Sequence, residues 1–290
     1  VEERRDRAAL HHAAGVGSVL VRKYAADEHR RVAGDALGHL QRRGVGAGHR
    51  TQRELERRDA VDHFNRIGVL FKEQINAAAA TAAGQYDDSG QVCLAGTRLL
   101  VDESIADQFL ERFHAYTDAH VLGDSRDDTT TITPLIHPDH LARVDEFVAR
   151  ARVAGDTVIR GGRRLAEEGL WYELTLIEPA SNSSEIVQRE VFGPVLTFQT
   201  FTDDEEAVAL ANSTDYGLSA TLYTTSPHRA DRLGRTLRAG TVWVNCFLVR
   251  DLTAPFGGFG ISGLGREGGD YALDFHSDLK TLQIRADSTT

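Results

Sequence analysis

The 290-residue sequence contains no methionine and begins on Val1. From this a fragment is expected, or a chain whose atypical start codon has been carried literally into the translation. Cysteine is nearly absent. Cys93 and Cys246 are far apart in the chain, which excludes a disulfide framework and points to a reducing, cytoplasmic setting. The histidines at 11, 12, 29, 39 and 49 lack cysteines at zinc-site spacing, so no metal site is expected. No apolar run approaches the ~20 residues needed to cross a bilayer, so no membrane partner is expected. Residues 13–21 are mildly apolar behind an arginine cluster, but Glu2, Glu3, His11 and His12 break a signal-peptide pattern. Basic charge is outweighed: 33 Lys and Arg against 43 Asp and Glu leave a net charge of -10. With no aromatic interleaving among the arginines, this argues against a nucleic-acid partner.

What is present is ordinary globular material. A 41% hydrophobic and 26% charged composition can fill one large core or two smaller ones. The first 60 residues, rich in Arg, Ala, Gly and His, show no sustained period. Within and just after them, residues 16–21 read as a short strand and 59–75 as a weak helix. Arg43-Gly44-Val45-Gly46-Ala47-Gly48 superficially offers a phosphate loop. A dinucleotide loop must follow a strand and open a helix, and Leu40-Gln41-Arg42-Arg43 is a poor strand.

From residue 76 onward strands and helices alternate. Helices are expected over 76–83, 104–120, 140–154, 203–212 and 227–237. Strands are expected over 97–101, 156–159, 173–177, 195–201, 219–223, 240–245 and, at the end, 279–285. The helix over 104–120 rests on the stripe Ile105, Phe109, Leu110, Phe113, and that over 140–154 on Leu141, Val144, Phe147, Val148. The alternation predicts a layered α/β domain.

Gly90-Gln91-Val92-Cys93-Leu94-Ala95-Gly96-Thr97-Arg98 places a cysteine between two glycines, after an alanine-rich helix and before a strand. Small neighbours let a carbonyl group approach the sulfur and let backbone N–H groups face a developing oxyanion. A nucleophilic thiol also needs surroundings that favour its thiolate. Read alone, Cys93 is as well a small buried hydrophobe. Its context changes that reading. Residues 85–98 resemble the nucleophile segment of the aldehyde dehydrogenase superfamily. Glu190-Val191-Phe192-Gly193-Pro194-Val195 resembles the superfamily's cofactor-clamping segment. Pro255-Phe256-Gly257-Gly258 with Ser262-Gly263-Leu264-Gly265-Arg266-Glu267 resembles its C-terminal glycine-rich signature. The three lie in the family's order, over about residues 76–285.

The resemblance implies an aldehyde-dehydrogenase-like catalytic domain over 76–275, and a C-terminal oligomerisation strand and tail over 276–290. Residues 1–75 would be an aberrant or residual part of a Rossmann-type cofactor domain. It implies oxidation of an aldehyde to its acid with NAD, or NADP, through a thiohemiacetal and a thioester on Cys93. Glu190 would hydrogen-bond the nicotinamide ribose and Phe192 would pack beside the nicotinamide. Residues 243–252 look like the substrate loop of the hydroxymuconic semialdehyde dehydrogenase branch, whose substrates arise in aromatic-compound catabolism and already bear a carboxylate. Arg250 suits such a carboxylate, its alternative being a salt bridge to Asp251 or another acid. Phe256 would line the pocket, while Cys246 reads as a packing residue. The family pairs subunits through the terminal strand, so a homo-oligomer is expected.

Three departures stand beside the match. The family's Glu-Leu-Gly-Gly motif should fall near residues 59–65 and is absent, Glu54 and Glu56 being the nearest glutamates. The asparagine that completes the oxyanion hole has no counterpart, and glycine stands at Gly260 where many members carry lysine. The alternative function is therefore a catalytically inactive truncated or frameshifted remnant of such a dehydrogenase, its leading segment out of frame or misassembled, with negligible NAD reduction expected of the isolated chain.

Overall fold

The computed structural model describes residues 66–71, 75–165 and 169–284. The expectations for residues 16–21 and 43–48, the N-terminal histidines, and Glu54 and Glu56 lie outside these. So do the tail beyond 284 and residues 1–65 of the expected cofactor-domain segment.

Among the described residues, seven strands form one sheet: β1 Arg66–Leu70, β2 Arg98–Asp102, β3 Thr157–Arg160, β4 Thr175–Glu178, β5 Val195–Phe201, β6 Ser219–Tyr223 and β7 Thr241–Val244. Their spatial order is β3-β4-β5-β2-β1-β6-β7. Only β3 and β4 are antiparallel; the other neighbours are parallel. The helices are α1 Ile75–Ala83, α2 Ala106–Asp118, α3 Pro138–Val153, α4 Glu185–Gln188, α5 Asp204–Ala211, α6 Pro227–Thr236 and α7 Gly269–His276. The expected α/β layering is present.

Period-two alternation sorts β2 between two cores. Leu99 and Val101 point into a cluster with the alanines of α1, Tyr86, Phe109 and Phe113. Leu100 points the other way, to Phe71, Phe201, Ala207 and Leu233 under α5 and α6. With both faces covered, β2 is buried at four of its five positions and β6 at all five, as parallel strands between helix layers are. Helix starts follow local chemistry. Pro138 opens α3 behind His137, and Pro227 opens α6 behind Ser226, whose hydroxyl accepts from the Arg229 N–H at 3.2 Å. At α5, Asp203 accepts from the Glu206 N–H at 2.8 Å, and the Glu206 carboxylate accepts from the Thr202 N–H at 2.8 Å, a reciprocal cap displaced by one residue.

One expectation fails locally. The weak helix over 59–75 is replaced at Arg66–Leu70 by β1, in the middle of the sheet between β2 and β6. Its Arg-Ile-Gly-Val-Leu run is strand-like once both flanking strands supply hydrogen bonds. Residues 279–284 pair with no strand among the described residues, as a strand that joins subunits would not in a single chain. Leu279, Leu282 and Ile284 stand 99%, 75% and 79% exposed.

Candidate active site

β2 and β5 are adjacent and parallel, so the loops that precede them must lie side by side at one edge of the sheet. Those loops are residues 91–97 and 189–194, carrying Cys93 and Glu190. Thr97 O accepts from the Thr197 N–H at 2.8 Å and Pro194 O from the Thr175 N–H at 2.9 Å. The contact between the two loops is close: a Cβ on Gly90 would lie 2.2 Å from the Gly193 carbonyl oxygen. The glycine-rich segment docks at the same edge by way of β6 and β7. The Gly217 N–H donates to the Ser262 hydroxyl at 3.0 Å, and Gly240 has no room for a Cβ against Gly257 O. All three motifs thus gather where the parallel strands begin.

The cysteine loop is held from several sides. Asp88, Ser89 and Gly90 take positive φ values of 52, 57 and 69°, a costly run for two non-glycine residues. Gln91 braces it, its Nε2 donating to Asp88 O at 3.0 Å and its Oε1 accepting from the Ile136 N–H at 3.0 Å. The Ser89 hydroxyl donates to Thr133 O. Beyond the cysteine, the Gly96 N–H donates to Gln85 Oε1 at 2.5 Å.

Cys93 is half-buried, beside the cluster of Leu94, Leu218 and Trp243. Burial first, then the Glu190 carboxylate, push its thiol pKa up; its own N–H, the Arg250 guanidinium and the Leu94 N–H pull it down. The net shift is upward. The expectation of surroundings that favour the thiolate is therefore not met in this state: desolvation and a like charge outweigh the donors. Glu190 is 3% exposed.

Phe192 sits at φ 59°, and its ring meets His140 edge-on at 6.4 Å. Arg250 is exposed and lies over the Phe256 ring at 4.8 Å, a cation–π contact. It makes no ion pair with Asp251, whose carboxylate accepts from the Thr253 N–H and hydroxyl at 2.9 and 2.7 Å. Phe256 and Cys246 pack on the same cluster as Cys93. The structure thus brings Cys93, Glu190, Arg250 and Phe256 into one neighbourhood, with Phe192 on its α3 side. Gly260 takes φ 59°, and a Cβ there would lie 2.2 Å from Asp215 O, so this backbone has no place for the lysine many family members carry. Among the described residues, no group of three His, Cys, Asp or Glu side chains could hold a metal.

Sequence reasoning passed over His140 and Arg143. They stand three apart on α3, a spacing that puts them on one helix face, yet the sequence gives no sign of what that face meets. It meets residues 190–192.

The aldehyde dehydrogenase family model matches residues 69–282. An aldehyde dehydrogenase of Emericella nidulans is 39% identical over 210 residues, covering 72% of this chain and 42% of that protein. A betaine aldehyde dehydrogenase of Rhizobium meliloti is 37% identical over 218 residues, covering 74% and 45%. The crystal structure of a betaine aldehyde dehydrogenase from Staphylococcus aureus in complex with NAD+ superposes with a TM-score of 0.69 at 35% identity, covering 73% of this chain and 43% of that one. The chain spans less than half the length of each of these relatives.

Proposed function

The chain belongs to the aldehyde dehydrogenase family, and on that premise we propose that Cys93 is the nucleophile of an NAD- or NADP-dependent aldehyde oxidation. The observation that carries this reading is the contact of the cysteine loop with the 190–194 segment, which brings the Glu190 charge within range of the Cys93 thiol.

In the first step the Cys93 sulfur bonds to the aldehyde carbon, the thiol proton leaves, and the carbonyl oxygen becomes the oxyanion of a thiohemiacetal. The Cys93 N–H is a donor for that oxygen. The residues at hand fit the nicotinamide end of a dinucleotide: a buried carboxylate, Glu190, able to accept from ribose hydroxyls, and the flat ring of Phe192. The cofactor, when bound, would supply the hydride acceptor for oxidation of the thiohemiacetal carbon to the thioester level. Water then hydrolyses the thioester, which returns the thiol and releases the acid.

The substrate is read as an aldehyde that carries a carboxylate. Arg250 is close enough to act on the Cys93 thiol and is always charged. A cation there favours an anionic substrate and opposes a cationic one such as betaine aldehyde. Residues 279–284 are read as a strand that pairs with another copy of the chain, supported by their exposed Leu279, Leu282 and Ile284.

Aldehyde protection of Cys93 from iodoacetamide tests the reading, in a Cys246→Ser background. A carboxylate-bearing aldehyde is expected to protect at lower concentration than a neutral aldehyde of the same size, and Arg250→Met is expected to erase that preference. Alkylation unaffected by any aldehyde would overturn the assignment of Cys93. A second reading, aldehyde capture without turnover, is favoured by the missing Glu-Leu-Gly-Gly motif near residues 59–65. NADH formation decides between the two.

A further inference from the structure

Residues 190–193 carry a backbone that does not sustain itself. Phe192 is a bulky residue in the left-handed region, at φ 59°, where a non-glycine residue is strained and persists only when its surroundings hold it. The surroundings that do so belong to one face of α3. His140 Nε2 lies 2.6 Å from Phe192 O; a carbonyl can only accept, so the imidazole carries a proton on that nitrogen. The Arg143 guanidinium donates to two successive carbonyls, Val191 O and, at 2.8 Å, Glu190 O. Val144 fills the next position, one of its methyls 2.6 Å from where a Cβ on Gly193 would stand. Three consecutive carbonyls of the segment are thus gripped by two side chains one helical turn apart.

Arg143 is itself braced by the Phe147 ring, 4.9 Å from its guanidinium carbon, with Arg150 at 4.7 Å and Arg189 at 5.9 Å from the same ring. Phe147 is buried and Arg150 pairs with Glu185 at 2.7 Å. The grip is therefore anchored in a core cluster that includes Val144, Phe147 and Val191.

We propose that His140 and Arg143 are positioning residues: they hold the 190–192 backbone in its strained form and thereby set where the Glu190 carboxylate lies relative to Cys93. The functional meaning of this rests on the reading of Cys93 as nucleophile and Glu190 as cofactor ligand, but the geometric claim can be tested on the thiol alone. Glu190 is a like charge that raises the Cys93 pKa, and Arg250 is the cation that opposes it. A segment released from α3 takes Glu190 away from the sulfur, so the thiol becomes easier to ionise. Simple loss of a nearby cation would do the opposite, which makes the sign of the shift informative.

The experiment is the pH dependence of Cys93 alkylation by iodoacetamide in the full 290-residue chain carrying Cys246→Ser. Glu190→Gln is expected to lower the midpoint. Arg143→Met should lower it in the same direction by about half a pH unit or more, or roughly threefold in rate below the midpoint. It should add nothing when combined with Glu190→Gln. His140→Ala should act likewise, and His140→Gln, which keeps an N–H donor for Phe192 O, should restore the original midpoint. Far-UV circular dichroism and the thermal midpoint establish that each variant is folded, and if Arg143→Met is not, the two His140 variants decide. An unchanged or raised midpoint in folded variants, or an equal shift with and without Glu190→Gln, refutes the proposal. Because neither NAD nor aldehyde enters the measurement, such a result is distinct from failure of aldehyde protection, which bears on the function itself.

Discussion

Gly90 and Gly193 stand backbone to backbone, with 2.2 Å between the place of a Cβ on residue 90 and the carbonyl oxygen of residue 193. This contact joins the cysteine loop to the segment carrying Glu190, and Gly90 also sits at φ 69°. A side chain at 90 meets two separate obstacles, one conformational and one steric. Gly155, at φ 90° with nothing within 4 Å of its Cβ position, meets only the first. Gly155→Ala is expected to cost about 1–2 kcal/mol, and Gly90→Ala distinctly more, with a changed Cys93 alkylation rate. Urea denaturation of the two variants measures the difference, and equal costs would show that the steric contact does not matter.

The thiol of Cys93 is expected to react slowly at neutral pH. Its pKa lies above the ordinary thiol value because burial and Glu190 outweigh the N–H donors and Arg250, and only the thiolate reacts. Less thiolate is present at any given pH, so the alkylation rate should rise with pH through a midpoint above that of a free thiol. Arg250→Met should move the midpoint further up, since it removes an opposing cation. A midpoint below that of an unstructured cysteine peptide would contradict this balance.

Arg98 is 1% exposed and its guanidinium closes the C-terminus of α5. It donates to Ala211 O at 3.2 Å, Leu210 O at 2.6 Å and the Ser213 hydroxyl at 3.3 Å. The two carbonyls lie at a helix end, where intrahelical partners run out, and burial pulls the Arg98 pKa down to about 10. Arg98→Met removes all three of these bonds, with Leu210 O still accepting from the Ser213 hydroxyl at 2.7 Å, and is expected to cost about 2–4 kcal/mol. Arg98→Lys should recover only part, because an ammonium cannot span three acceptors as a planar fork does. Chemical denaturation checks both, and a fully stable lysine variant would show that charge alone suffices.

Leu264, Leu273 and Phe275 join Leu279, Leu282 and Ile284 as exposed apolar side chains within one stretch of chain, at 88%, 69%, 52%, 99%, 75% and 79%. So much apolar surface in contact with water favours association. Sedimentation should show assemblies larger than one chain, and Leu279→Ser with Leu282→Ser should shift them toward monomer. A wild-type chain that sediments as a monomer at every concentration would remove the case for a pairing strand.

Much of the site was legible in the sequence because its parts are short and local. Cys93 between Gly90 and Gly96, the run Glu190 to Pro194, and the spaced glycines of 257–265 are each set by what a tight backbone permits, and that is written in adjacent residues. The strands over 195–201 and 219–223 fall where composition put them, since fully covered parallel strands read as apolar runs. Arg66–Leu70 did not, because five residues without partners carry no period, and a strand there exists only through β2 and β6 on either side. The sign of the Cys93 shift, the stack of Arg250 on Phe256, and the grip of His140 and Arg143 on residues 190–192 depend on atoms far apart in the chain. Sequence determined which groups are available; packing of adjacent parallel strands and of α3 decided which charges face the sulfur, because electrostatics and hydrogen bonds follow distance in space rather than order along the chain.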